Sequence, residues 1–181
     1  MARTDSRFAA YLPHPAERYA PVTAVVAEAT GHDVPKLASL QARTRGGSAS
    51  EWADRIHRAL CAERSLVITA KVSGEAVGYA NAAFLPEHAE DGAPAGYYLT
   101  GVTVDPDWRR RGIAELLTRW RMDRVWERDS AVWCFISARN LASLDLHRKL
   151  GFVQVTVGAS FQGIEFAGGE GLLLRADSPR P

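Results

Sequence analysis

The segment at 96–120, GYYLTGVTVDPDWRRRGIAELLTRW, constrains the fold more than any other part of the chain. Aromatic and β-branched residues up to Val104 read as a strand. Pro106 ends it, three consecutive arginines follow (Arg109, Arg110 and Arg111), and after Gly112 the residues Ile113, Leu116, Leu117 and Trp120 recur at helical spacing. The unit is a strand, a glycine turn and a helix. A helix start leaves backbone N–H groups without intrahelical partners and carries partial positive charge. Gly112 has no Cβ to hold an anion off the backbone, Ala114 keeps the next turn narrow, and arginine adds forked donors. A phosphate or pyrophosphate held mostly by the amides of residues 110–114 suits this turn. The bland alternative is a solvated basic face. A Walker-type loop would need Lys-Ser/Thr after the glycine, and a dinucleotide fingerprint three spaced glycines; this turn has neither.

The rest of the chain alternates strand and helix patterns. Residues 21–30 (PVTAVVAEAT) read as a strand. Asp33 can cap a helix over VPKLASLQARTR with Pro35 in its first turn, and Ser50 a second helix whose Trp52, Ile56, Ala59 and Leu60 share a face. Strands follow at 66–72, 75–85 and 96–104, with Ser73-Gly74 as a two-residue hairpin turn. Beyond the arginine turn and its helix come a buried strand (131–138), a helix (140–150) stopped by Gly151, and strands FVQVTVGASF and GLLLRA. The order is β-α-α-β-β-β-α-β-α-β-β, a mixed α/β sheet. Residues 1–20 have no clear period and read as an extension; 21–178 read as one domain.

Composition excludes several function classes. Lys plus Arg (22) balance Asp plus Glu (21), so no global field draws the chain to nucleic acid or an anionic membrane. No run reaches the length of a membrane span, and the N-terminal stretch lacks a signal-peptide core, so a soluble cytoplasmic protein is expected. Cys61 and Cys134 are too far apart for a zinc knuckle and too few for a disulfide framework; both read as buried thiols, and no metal is expected.

Two motifs carry a resemblance. Arg109-Arg110-Arg111-Gly112-Ile113-Ala114 fits Arg/Gln-x-x-Gly-x-Gly/Ala, after the strand end Val102, Val104, Pro106; downstream, Asn140, Ser143, His147, Lys149, Gly151 and Phe152 follow Asn-x-x-Ala/Ser…Tyr-x-Lys-x-Gly-Phe. The sequence resembles the GCN5-related N-acetyltransferases over roughly residues 21–176. That resemblance implies a mostly antiparallel sheet of about seven strands with helices on both faces, and acetyl-CoA as cosubstrate. It implies that the pyrophosphate sits on residues 109–114 and that Val102, Thr103 and Val104 pair with the pantetheine arm. It also implies that the Val102 amide polarises the thioester carbonyl, as in an oxyanion hole. Gly101 fits independently, since a lone strand glycine marks a bulge or a close backbone approach. Asn140 is expected on the pantetheine amide and Ser143 on the phosphate arm; Asn140 could equally cap its helix.

Departures from the pattern leave the chemistry open. His147 stands where the family usually has a tyrosine facing the leaving sulfur. An imidazole can protonate a thiolate near neutral pH, or it can simply pack beside the cofactor. Tyr98 stands where some members carry a glutamate base. Glu87, His88, Glu90 and Asp91 crowd the loop between the strands at 75–85 and 96–104 and read first as solvated charge. The acceptor is expected to be a primary amine of a small molecule or peptide, with Trp52, Tyr97, Tyr98, Phe161 and Phe166 near it, on a monomer or homodimer. A catalytically silent acyl-CoA-binding module and a nucleic-acid binder using the arginines are the competing readings.

Overall fold

The computed structural model describes residues 19–20, 22–166 and 168–179. Apart from Tyr19 and Ala20, the extension expected at 1–20 lies outside the described residues. The elements run β1 (Val25–Glu28), α1 (Val34–Arg45), α2 (Ala49–Cys61), β2 (Ser65–Val72), β3 (Glu75–Leu85), β4 (Gly96–Val104), α3 (Ile113–Trp126), β5 (Ala131–Ser137), α4 (Leu141–Lys149), β6 (Val153–Gly158), β7 (Ser160–Phe161), β8 (Ile164–Glu165) and β9 (Gly171–Asp177). Seven strands form one sheet in the order β1-β2-β3-β4-β5-β9-β6, and β7 pairs with β8 apart from it. The ladders β1/β2, β2/β3, β5/β9 and β6/β9 are antiparallel, while β4/β5 is parallel over only Tyr97↔Val132 and Tyr98↔Trp133. The mixed, mostly antiparallel sheet expected from the sequence is present.

The described residues divide into two compact units, one comprising those from Tyr19 to Ala83 with Leu99–Arg124, the other Phe84–Tyr98 with those from Val125 onward. In the first, α1 and α2 bury Leu37, Ala38, Leu40 and Ile56 against Val67 and Tyr79, with Trp52, Ala59 and Leu60 packed around them. The apolar face expected for α2 is therefore the face that packs. Its cap is Ser48 rather than Ser50: the Ser48 hydroxyl accepts from Glu51 N–H, and Glu51 returns a bond to Ser48 N–H. This capping box satisfies two orphan donors at once, which a cap at Ser50 would forgo. Ser73 (φ +50°) and Gly74 (φ +83°) make the two-residue turn between β2 and β3, both left-handed as a type I′ turn requires. The first strand is shorter than expected, holding four residues on β2.

Helix α3 packs with a rotated face. Ile113, Leu117, Thr118, Arg121, Met122 and Val125 are buried, whereas Leu116, expected inward, is 38% exposed. Its first turns rest on Gly78 of β3, where an added Cβ would lie 2.9 Å from Leu117 Cδ1 and 3.0 Å from Ile113 Cγ2. Glycine is needed there for close approach, not for its dihedral freedom.

The second unit is built on β5, β9 and β6 around Ala93, Tyr98, Phe161 and Leu173, with Trp133, Phe135 and Phe166 packed against them. The stretch 152–161, expected as one strand, breaks after Gly158 and continues as the β7–β8 hairpin, turned at Gln162 (φ +52°) and Gly163 (φ +69°). Beyond the break Phe161 is buried, whereas β6 is exposed along most of its length. Of the two cysteines, Cys134 is buried as expected and Cys61, ending α2, is exposed.

Candidate active site

In the first unit the turn from β4 to α3 is a built backbone cradle. Asp105 anchors it: its N–H donates to Val77 O (2.9 Å), and its carboxylate accepts from Asp107 N–H (3.1 Å) and from the Arg43 guanidinium. Arg110 (φ +61°) and Gly112 (φ +87°) are left-handed, the backbone habit that builds anion-binding nests. Leu116 N–H donates to Gly112 O at 3.0 Å as the helix begins, and the amides ahead of it have no intrahelical acceptor. A Cβ at Gly112 would meet no protein atom within 4 Å, so space stands open over the turn.

The three arginines have separate duties. Arg109 Nε donates to Val104 O (3.3 Å), tying the turn to the strand end. Arg110 and Arg111 lie over the Tyr19 ring, their guanidinium carbons 5.7 and 4.9 Å from its centroid, and Arg111 also faces Trp108 at 5.6 Å. Arg111 Nε is buried without a hydrogen-bond partner among the described residues, a donor that an anion would satisfy. Tyr19 belongs to the stretch read as an extension, and no local signal in the sequence tied it to this turn.

The β4 edge leading into the turn is held by arginines as well. Thr103 is buried; its hydroxyl donates to Gln41 Oε1 (2.9 Å) and accepts from Arg45 Nε (3.1 Å), and Arg45 Nη2 donates to Val102 O (3.3 Å). Burial lowers the Arg45 pKa, a smaller raising effect of Tyr79 opposes it, and the Arg109 charge adds to the lowering. Thr103 is thus a packing and hydrogen-bonding residue, and the Val102 and Val104 carbonyls both accept from arginine. In the middle of β4, Gly101 (φ +157°) has open space at its Cβ position. Its carbonyl accepts from Arg121 at 2.8 Å.

The second unit carries the other expected residues. Asn140 caps α4, its side chain accepting from Ser143 N–H at 3.2 Å; the capping role foreseen for it is realised, and its amide nitrogen is the group left to address a ligand. His147 is buried, edge-on to Phe152 (5.1 Å between centroids), with Nδ1 2.8 Å from Ser143 O and 3.4 Å from Ser143 Oγ. A carbonyl only accepts, so Nδ1 carries the proton. The neutral ring then presents Nε2 as an acceptor and donates from Nε2 only when doubly protonated. Lys149 is exposed.

The glutamate-replacing Tyr98 is a buried core residue. Its hydroxyl donates to Pro94 O (2.7 Å), and burial raises its pKa, opposed by a hydrogen bond from Gln162. Tyr97 stacks edge-on with Phe84 (5.5 Å), Phe161 and Phe166 meet at 6.0 Å, and Trp52 donates to Gly46 O (2.8 Å). These aromatics are framework. In the acidic loop, Glu87 and Glu90 are exposed, but Asp91 is not a solvated charge. Burial works against its ionisation, yet the backbone N–H groups of Gly163, Ala93 and Gln162, with His88, hold its pKa below the ordinary aspartate value. Its bond from Gly163 N–H (2.9 Å) ties the loop to the β7–β8 turn, and Oδ2 lies 3.1 Å from His88 Nδ1.

Known proteins share this fold. A stretch of 64 residues is 31% identical to the [Ribosomal protein bS18]-alanine N-acetyltransferase of Escherichia coli (strain K12), covering 35% of this chain and 43% of that protein. The chain therefore spans less than half the length of the curated relatives it matches. Among solved structures, the ribosomal-protein-S18-alanine N-acetyltransferase of Escherichia coli superposes with a TM-score of 0.64 at 19% identity, over 86% of this chain and 94% of that one. The phosphinothricin acetyltransferase of Sinorhizobium meliloti, solved in complex with AcCoA, does so with a TM-score of 0.68 at 17% identity, over 86% and 89%. The family model described as "Acetyltransferase (GNAT) family" matches residues 34–152, more than half of the sequence, and with both motifs inside that span the chain belongs to this family.

Proposed function

We propose that this chain transfers an acetyl group from acetyl-CoA to a primary amine of a small molecule or peptide, through residues 21–178 acting as one domain. The observation that carries this reading is the turn at 109–114: two left-handed residues, open space at Gly112 and an unsatisfied buried Arg111 Nε make a cradle for the pyrophosphate. Arg109, Arg110 and Arg111 flank the anion, while Gly112, Ile113 and Ala114 present amides to it. The donor supplies an activated thioester. Val102 N–H serves as the hydrogen-bond donor for its carbonyl, and Val104 continues the strand edge that aligns the arm. Asn140 contributes its amide nitrogen, and the Ser143 carbonyl orients His147 by accepting a hydrogen bond from Nδ1–H. As the amine nitrogen bonds to the carbonyl carbon and the C–S bond breaks, the His147 imidazolium gives a proton to the leaving sulfur, and the proton that the nitrogen sheds passes to solvent. Tyr98 has its hydroxyl committed to Pro94 O, so the amine reaches the site neutral without help from that position.

Free-thiol release from acetyl-CoA, measured against small amines and peptides with free N-termini, tests the reading. Release that requires an acceptor and yields equimolar N-acetylated product supports it. Tight CoA binding with no release above background from any acceptor would point instead to a silent acyl-CoA-binding module.

A further inference from the structure

Arg121 is 1% exposed, a guanidinium buried inside a region that the sequence presents as an ordinary amphipathic helix. Burying such a charge is costly unless its donors are met, and here they are met by three backbone carbonyls and one hydroxyl. Nε donates to Leu117 O (3.3 Å), Nη2 to Thr118 Oγ1 (3.1 Å), and Nη1 to both Asn81 O (2.6 Å) and Gly101 O (2.8 Å). Asn81 lies on β3 and Gly101 on β4, neighbours in the sheet, so one nitrogen pins carbonyls from two adjacent strands.

The peptide geometry gives this pin a consequence. Gly101 C=O and Val102 N–H belong to the same planar trans peptide and point in opposite directions. Fixing the carbonyl on Arg121 therefore aims Val102 N–H away from α3. The neighbouring peptide agrees, because a strand residue turns its own N–H and C=O to one side, and Val102 O accepts from Arg45 at the exposed edge. Gly101 at φ +157° gives this peptide no side chain of its own to hold it, and the bond from Arg121 is a charged contact on its carbonyl. A charged donor on the carbonyl also polarises the peptide, which makes the N–H at its other end a stronger donor.

We propose that Arg121 is a positioning residue for acyl transfer, aiming and polarising the Val102 N–H through the Gly101 carbonyl; this rests on the function proposed above. The test uses R121M, which keeps volume without donors, and acetyl-CoA isotope-labelled at the thioester carbonyl. The infrared stretch of the bound carbonyl reads the hydrogen bond directly and needs no turnover. The expected result is a carbonyl band lowered in the wild type relative to free acetyl-CoA and returned towards the free position in R121M. With it, kcat falls by about tenfold to a hundredfold while CoA affinity stays within about threefold. An unchanged band in folded R121M, or a kcat loss that merely follows weaker CoA binding, overturns the proposal. Should R121M not fold, R121K keeps the charge and loses the fork, and the band and kcat are then expected between the two extremes; wild-type values for both overturn it. If wild type turns over no acceptor, the proposed function fails, and the band still decides whether Arg121 aims the amide.

Discussion

Gly112→Ala separates backbone from charge at the anion turn. A non-glycine residue in the left-handed region costs roughly 1–2 kcal/mol. At Gly112 (φ +87°) no protein atom lies within 4 Å of the new Cβ, so this strain is the whole intramolecular cost. The protein can absorb it in two ways. If the turn keeps its shape, the unliganded fold loses about 1–2 kcal/mol; if the turn relaxes, stability is kept and CoA binding loses the same amount, about 5- to 30-fold in Kd. Contact between the methyl group and the phosphate adds to the binding loss. Gly74→Ala supplies the control, for its φ (+83°) and open surroundings match while it sits in the β2–β3 hairpin. Chemical denaturation and calorimetric titration with CoA on both variants complete the comparison. Gly74→Ala is expected to lower stability and leave Kd unchanged, and Gly112→Ala to weaken CoA beyond anything its stability loss explains. Unaltered CoA affinity in Gly112→Ala, with affinity abolished by single alanine substitutions at Arg109–Arg111, would refute the reasoning and assign the site to the arginines.

Three further outcomes are expected. Gly78→Ala pushes a methyl into Leu117 and Ile113 and should cost about 1–3 kcal/mol by overpacking, with CoA affinity falling alongside because the start of α3 is displaced; calorimetric melting and titration check it. If His147 protonates the leaving sulfur, His147→Phe should lower kcat while CoA affinity is kept, and unaltered turnover removes His147 from the mechanism. Burial opposes the ionisation of Asp33, but Lys71 (2.5 Å) and the Thr30 N–H and hydroxyl outweigh it and depress the Asp33 pKa. A depressed carboxylate stabilises above its unfolded value of about 4 and loses that contribution as pH falls, so Asp33→Asn should lower Tm near neutral pH and match wild type in acid.

The sequence carried whatever depends on local pattern. The α/β order, the β2–β3 turn at Ser73-Gly74, the inward face of α2 and the strand-turn-helix around Gly112 all rest on period and turn chemistry within a few residues. Two misreadings had local signals available: Ser48-x-x-Glu51 is a capping box, and Gln162-Gly163 is a turn between short strands. Others had none. Arg121 looks like a solvated helix residue until Asn81 and Gly101 are brought to it, 40 and 20 positions away. Asp91 reads as surface charge because the Gly163 amide that it accepts from lies 72 residues on. Tyr19 has no reason in sequence to meet Arg111. Contacts of this range decide which charges are structural, and they were hidden for the same physical reason: periodicity reports a residue's face, not what the tertiary fold lays against it.

In the proposed function, the backbone of the 109–114 turn holds acetyl-CoA while Val102 N–H meets its carbonyl. A structure of the chain with acetyl-CoA bound tests both at once. Pyrophosphate oxygens are expected within about 3 Å of the Gly112, Ile113 and Ala114 amides, with the thioester oxygen at a similar distance from Val102 N. A pyrophosphate held by arginine side chains alone, or a thioester carbonyl turned away from Val102, would contradict it.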